Sequence, residues 1–235
     1  MDDLVAEMNF RPRPTADRPL LGLTVLVVED SRYASEAMRL LCLRSGARIR
    51  RADCLQSARR HLNVYRPSVA IVDLGLPDGS GADLLADMAA ASPRVPVILG
   101  TSGADPGEAA AVAMDAGADG FLPKPLNTLA AFHAAILMHL PPALRPAGPR
   151  RVNMERITPD ITAYREDLVH AMHLLALDRP PMPYLGRFLM GVARAADDAG
   201  MEHRASALDD RLTTPEKSAL RAFLSRRLQQ LDVAI

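Results

Sequence analysis

Between residues 23 and 140, short apolar runs alternate with longer stretches in which apolar residues recur every three or four positions. This pattern restricts the fold more than any other feature of the chain. Strands that are apolar on nearly every residue must be covered on both faces, and helices connecting successive parallel strands provide that cover. Five strands are expected: Leu23 to Val28, Ala47 to Arg51, Val69 to Asp73, Pro96 to Gly100 and Gly120 to Pro123. The second contains Arg48-Ile49-Arg50, an alternation suited to a half-exposed edge. Helices are expected over residues 32–45, 55–65, 81–92, 107–117 and 127–139, with Gly46 and Gly117 placed to end two of them in the left-handed conformation. The expected fold class is α/β, a doubly wound five-stranded parallel sheet.

The flanks read differently. Residues 1–20 mix charges with Pro12, Pro14 and Pro19 and show no sustained period, so they are expected to form an arm outside the core. Residues 141–152 are broken by Pro141, Pro142, Pro146 and Pro149 and are read as a linker between the domain at 21–140 and a small all-α domain at 153–235. Three amphipathic helices are expected there. The first carries Ile161, Tyr164, Leu168, Met172 and Leu175 on one face, the second Leu185, Phe188, Leu189, Val192 and Ala196, the third Leu220, Leu224, Leu228 and Leu231. Three such helices bury only a thin core among themselves, so they should pack on the first domain or on a second copy.

Charge narrows the partners: 28 Lys and Arg balance 28 Asp and Glu, so no global field draws the chain to nucleic acid or anionic lipid. Cys42 and Cys54 sit in separate mixed segments, as thiols in a reducing compartment do. No apolar run approaches the roughly 18 residues of a membrane span, and the opening Met-Asp-Asp lacks a basic stretch leading into an apolar one. A cytoplasmic protein with no membrane partner is expected.

In an open parallel sheet, ligands sit beyond the carboxyl ends of the strands. Here those ends carry Glu29 and Asp30, then Asp73, then Thr101, then Lys124. Three carboxylates at one rim repel one another unless positive charge is present. Lys124 supplies one such charge, and a hard divalent cation with oxygen ligands, magnesium, supplies the rest. Such a set can take a phosphoryl group, with Asp73 as nucleophile and Lys124 neutralising charge on the incoming oxygens. Thr101 can then donate to a phosphoryl oxygen and draw its loop inward, and Phe121 can move into the vacated space.

These residues resemble the receiver domain of bacterial two-component response regulators over about residues 22 to 140. The likeness rests on Glu29-Asp30 after an apolar strand, on Val72-Asp73-Leu74-Gly75-Leu76-Pro77-Asp78-Gly79-Ser80-Gly81, on Thr101 after Pro96-Val97-Ile98-Leu99-Gly100, and on Gly117-Ala118-Asp119-Gly120-Phe121-Leu122-Pro123-Lys124-Pro125. The resemblance implies a flavodoxin-like fold and phosphorylation of Asp73 by a histidine kinase or a histidine phosphotransfer protein. It further implies Mg2+ held by Asp30, Asp73 and the backbone carbonyl of Gly75, with Glu29 acting through water. Thr101 and Phe121 become the switch pair, Lys124 the phosphoryl ligand, and Lys124-Pro125 a cis peptide. The helix after Asp30, with Tyr33, Ala34, Met38 and Leu41, becomes the kinase docking face. A signalling protein is implied, whose only chemistry is its own phosphorylation and dephosphorylation.

The helical half names its output poorly. Residues 150–235 hold 13 Arg and Lys against 12 Asp and Glu, which does not favour DNA binding, although Arg221, Arg226 and Arg227 form a basic stripe on the last helix. His170 and His173 lie on one helix, as in a phosphotransfer domain, yet bulky Leu174 follows where that family keeps small or basic residues. No glycine-rich phosphate cradle or Cys/His ligand spacing points to an enzyme. The expected output is therefore an interaction or homodimerisation module that uses the apolar face of Phe188, Leu189 and Val192, with DNA binding through a helix-turn-helix-like domain as the alternative and a phosphotransfer-like domain as the second.

Overall fold

A computed structural model describes residues 13–148, 152–208 and 213–232. The chain runs β1 (Thr24–Val28), α1 (Arg32–Arg44), β2 (Arg48–Ala52), α2 (Leu55–Val64), β3 (Val69–Asp73), β4 (Gly75–Leu76), β5 (Gly79–Ser80) and α3 (Gly81–Ala90). It continues through β6 (Val97–Ser102), α4 (Pro106–Asp115), β7 (Gly120–Pro123) and α5 (Leu129–His139), and then through four helices, α6 (Ile161–Leu175), α7 (Met182–Ala195), α8 (Ala199–Ala205) and α9 (Thr214–Asp232). β2, β1, β3, β6 and β7 form one parallel sheet in that order, with β2 at an edge, as its arginine alternation requires. No described helix is long and apolar enough to cross a membrane.

Side-chain alternation along the strands sorts the sheet into two cores. Val25, Val27 and Ile71 meet Met38, Leu41, Phe132 and Ile136 of α1 and α5 on one face. Leu26, Val28, Ala70 and Val72 meet Leu55, Leu84, Leu85 and Ala113 of α2, α3 and α4 on the other. Gly46 and Gly117 take φ of 82° and 86°, so both end their helices in the left-handed region.

The sequence pattern misses several features. β4 and β5 make a short hairpin directly after the third strand, too brief to show any period. Leu20 is fully buried in the α1/α5 core, and its N–H donates to the Ser45 carbonyl, so the arm joins the core at its end; the expected arm's residues 1–12 lie outside the described residues. Past the prolines, the Ile157 N–H donates to the Asn127 carbonyl and the Leu129 N–H to the Glu155 carbonyl, with Ile157 buried against α5. The connection therefore stays fastened to the first domain almost until α6 begins.

The helical half adds the seven-residue α8, too short to show a periodic face, to the three expected helices. Leu168, Leu185, Leu189, Val192, Met201 and Leu224 form its core. Asp198 ties the bundle together: it caps α8 at Met201 and accepts from Tyr164 at 2.6 Å and from Arg227 at 2.6 and 2.9 Å. Buried carboxylates persist where such donors satisfy them, and these donors hold the Asp198 carboxyl below its usual range in spite of its partial burial.

Candidate functional site

The site is assembled from strand ends that the parallel register brings level. Asp73 at the end of β3 lies opposite Thr101 of β6, Thr101 lies opposite Leu122 of β7, and Lys124 follows two residues later with its N–H on the Ser102 carbonyl. Glu29 prolongs β1 through an N–H bond to the Ala52 carbonyl. Lys124 Nζ stands 2.7 Å from Asp73 Oδ2 and 2.7 Å from Glu29 Oε2. Carboxylate oxygens of Glu29, Asp30 and Asp73 lie within 4.8 Å of one another. The Lys124-Pro125 peptide is cis, as is Ser92-Pro93.

Burial sets the charge state of this cluster. It opposes the Lys124 ammonium, but the carboxylates of Asp73 and Glu29 overcome it and raise the lysine well above its ordinary value. Burial raises Glu29 despite Lys124 beside it, and the charges of Asp73 and Asp30 add to the rise. Asp30 is pushed up to about 7, by burial first and by the charge of Asp73 second. An all-oxygen donor set with excess negative charge suits magnesium. Asp30, Asp73 and the backbone of Gly75 line one cavity of about 920 Å³, and the residues fit that ion.

Thr101 is fully buried, and its hydroxyl donates to the Leu122 carbonyl at 2.7 Å. Phe121 is half-buried against the α2/α3/α4 core, beside Gly100. The structure therefore brings together Glu29, Asp30, Asp73 and Lys124, with Thr101 on β6 beside Asp73 and Phe121 on β7 three residues before Lys124.

The four residues expected as a docking face on α1 lie in the interior of this arrangement. Tyr33, Ala34, Met38 and Leu41 are all buried, Met38 and Leu41 in the sheet core and Tyr33 among the C-terminal helices, edge-on to Tyr164 at 5.8 Å. In this arrangement the chain's own sheet covers Met38 and Leu41, and its C-terminal helices cover Tyr33. The apolar face offered for dimerisation is likewise consumed, since Phe188, Leu189 and Val192 are buried within the chain. Arg227 is taken by Asp198, which removes it from the expected basic stripe. His170 packs edge-on against Phe188 at 5.3 Å, and its burial lowers its pKa.

Several residues at the site were missed in the sequence because they belong to the helical half. The Tyr184 hydroxyl donates to Asp30 Oδ2 at 2.5 Å. Asp167, buried on α6, accepts from the Arg32 N–H at 2.7 Å, the Tyr33 N–H at 3.0 Å and the Ser31 hydroxyl at 2.7 Å, capping the first turn of α1 from 134 or more residues away. Burial raises its pKa to about 6 in spite of these donors. Arg194 donates to the carbonyls of Gly103 and Ala104. A Cβ on Gly103 would lie 2.7 Å from the Cα of Gly191, so the loop and α7 touch backbone to backbone. No motif marks these residues, because each acts on a partner remote in the chain.

Residues 25–136 match the family model described as the response regulator receiver domain. The chain is 37% identical over 103 residues to the KDP operon transcriptional regulatory protein KdpE of Escherichia coli strain K12, covering 44% of this chain and 45% of that protein. It is 31% identical over 105 residues to the virulence transcriptional regulatory protein PhoP of Salmonella typhimurium strain 14028s, covering 45% of this chain and 46% of that protein. The match thus spans under half the length of these curated relatives. Among solved structures, the receiver domain of NtrX from Brucella abortus aligns with a TM-score of 0.41 at 27% identity, over 43% of this chain and 86% of that one. Its sheet order, its acidic cluster at the strand ends and its family match together make the segment from Val25 to Ile136 a response regulator receiver domain.

Proposed function

We propose that the chain is a phosphoacceptor switch of a two-component relay. Asp73 takes a phosphoryl group from a histidine kinase or a histidine phosphotransfer protein, and the helical half answers by changing how it lies on the receiver. The observation that carries this reading is the Asp73 carboxylate held against the Lys124 ammonium at 2.7 Å within a three-carboxylate cluster. An oxygen of Asp73 attacks the phosphorus. As the new P–O bond forms, the P–N bond to the donor imidazole breaks, and the imidazole nitrogen keeps the electron pair and then takes up a proton. Asp30, Asp73 and the Gly75 carbonyl would hold Mg2+, with Glu29 acting through water, and the ion would shield the phosphoryl oxygens. Lys124 neutralises the charge that builds on those oxygens. Thr101 exchanges the Leu122 carbonyl for a phosphoryl oxygen, and Phe121 turns into the space its loop leaves. On this reading the protein is a cytoplasmic signalling component whose only reaction is on itself.

The test is labelling of the full chain by Mg2+ and a small acyl phosphate. Asp73→Asn should abolish labelling and Asp83→Asn, on an exposed position of α3, should retain it. Equal labelling of the two variants would overturn the assignment. A second reading, DNA binding by the helical half, draws on the relatives named as transcriptional regulatory proteins. With Arg227 held by Asp198, the exposed cations left from the stripe are Arg221 and Arg226, so a mobility shift with genomic fragments should show no specific complex.

A further inference from the structure

We propose that Tyr184 and a divalent cation compete for Asp30, so that the docked helical half holds the acceptor site unloaded and must swing aside for the site to load. This inference rests on the acceptor reading above. To hold Mg2+, Asp30 would offer a carboxylate oxygen to an ion that keeps several waters of its own. In the structure, Oδ2 of Asp30 is taken by the Tyr184 hydroxyl at 2.5 Å, a charge-assisted bond.

The phenol has little freedom to turn away while α7 stays in place. Tyr184 is buried, and its ring packs on Phe188 at 5.9 Å. The helical half is anchored at two further points beside the site: Arg194 on the carbonyls of Gly103 and Ala104, and Asp167 on the peptide groups immediately after Asp30. Gly191 meets Gly103 with no room for a side chain between them, so a shift of α7 along the rim would drive the side chains that flank Gly191 into the loop. The outward movement that frees Asp30 therefore separates the two halves. Because the coupling is reciprocal, a cation that favours the open form loosens the helices by the same factor by which docking weakens the cation.

Calorimetric titration of the full chain with MgCl2 tests this without any phosphoryl donor. Tyr184→Phe keeps the ring and removes the donor, and it should bind Mg2+ about tenfold tighter than the wild type. Asp167→Ala removes hydrogen bonds only to Ser31, Arg32 and Tyr33, none of them an acceptor residue, and should tighten binding as well by loosening the docked helices. Amide exchange across residues 182–195 of the wild type should speed up when Mg2+ is added. Equal affinity in wild type and Tyr184→Phe, or exchange slowed by Mg2+, would overturn the competition while leaving the acceptor reading intact. Absence of Mg2+ binding in all three proteins, together with absence of labelling at Asp73, would overturn both.

Discussion

The receiver and the helical half are of the same kind physically, each an apolar core fixed by a few buried polar groups, yet they carry function in opposite ways. In the receiver, reactive side chains stand at the ends of strands, so contiguous motifs such as Val72-Asp73 and Pro123-Lys124-Pro125 carry them. In the helical half, Tyr184, Asp167 and Arg194 have no motif, and each gains meaning from an atom of the other half. A domain without a recognisable signature can therefore still be part of a site, provided its packing carries a donor or acceptor to the right place.

Core truncation gives the largest effect by which to break this comparison. Phe132→Ala in the sheet core should cost about 3–5 kcal/mol and Leu189→Ala in the helical core about 2–5 kcal/mol. Calorimetric unfolding should show both losses in one shared transition, since Tyr33 of the receiver is built into the helical core. A separate low-temperature transition in Leu189→Ala alone would mean that the halves are energetically independent.

A smaller effect sharpens where they are joined. Gly103→Ala puts a methyl carbon 2.7 Å from the Gly191 backbone, which cannot yield as a flexible side chain would, and overpacking of this kind costs about 1–3 kcal/mol. Exchange should rise in α7 and at Arg32 and Tyr33 while β1 and β3 stay protected.

The smallest effect is a pH dependence. Asp167 has its pKa raised to about 6 from an ordinary 3.8 by burial, so between those values the folded state holds a proton that the unfolded chain has released. Its contribution to stability is full below pH 4 and is lost as pH rises through 6. Asp167→Asn should flatten the fall in melting temperature between pH 4.5 and 7 by a few degrees, in line with a change on the order of 1 kcal/mol. His170, lowered by burial and by His173 and Arg32, runs in the opposite sense, so the difference between variant and wild type is the quantity to compare.

The sheet was legible because its strands are covered on both faces and read as apolar runs. Asp73 and Lys124 were legible because a parallel register turns similar strand ends into neighbours. The edge position of β2 followed from Arg48 and Arg50. That the docking quartet on α1 would be covered was not legible for a physical reason: periodicity says which face of a helix is apolar, but whether Tyr33 meets solvent, a partner or the same chain depends on residues more than 130 positions away. Leu20 was missed because the two leucines between Pro19 and Gly22 are too short a run to carry a period, and α8 because seven residues make barely two turns.

Ile157 remains pinned beside Asn127, only four positions before the first residue of α6. A helical half released from the rim would therefore hang on a leash of a few residues, at a local concentration that dilution of the protein does not change. Opening and reclosing then form a unimolecular equilibrium whose set point does not depend on how much of the protein is present.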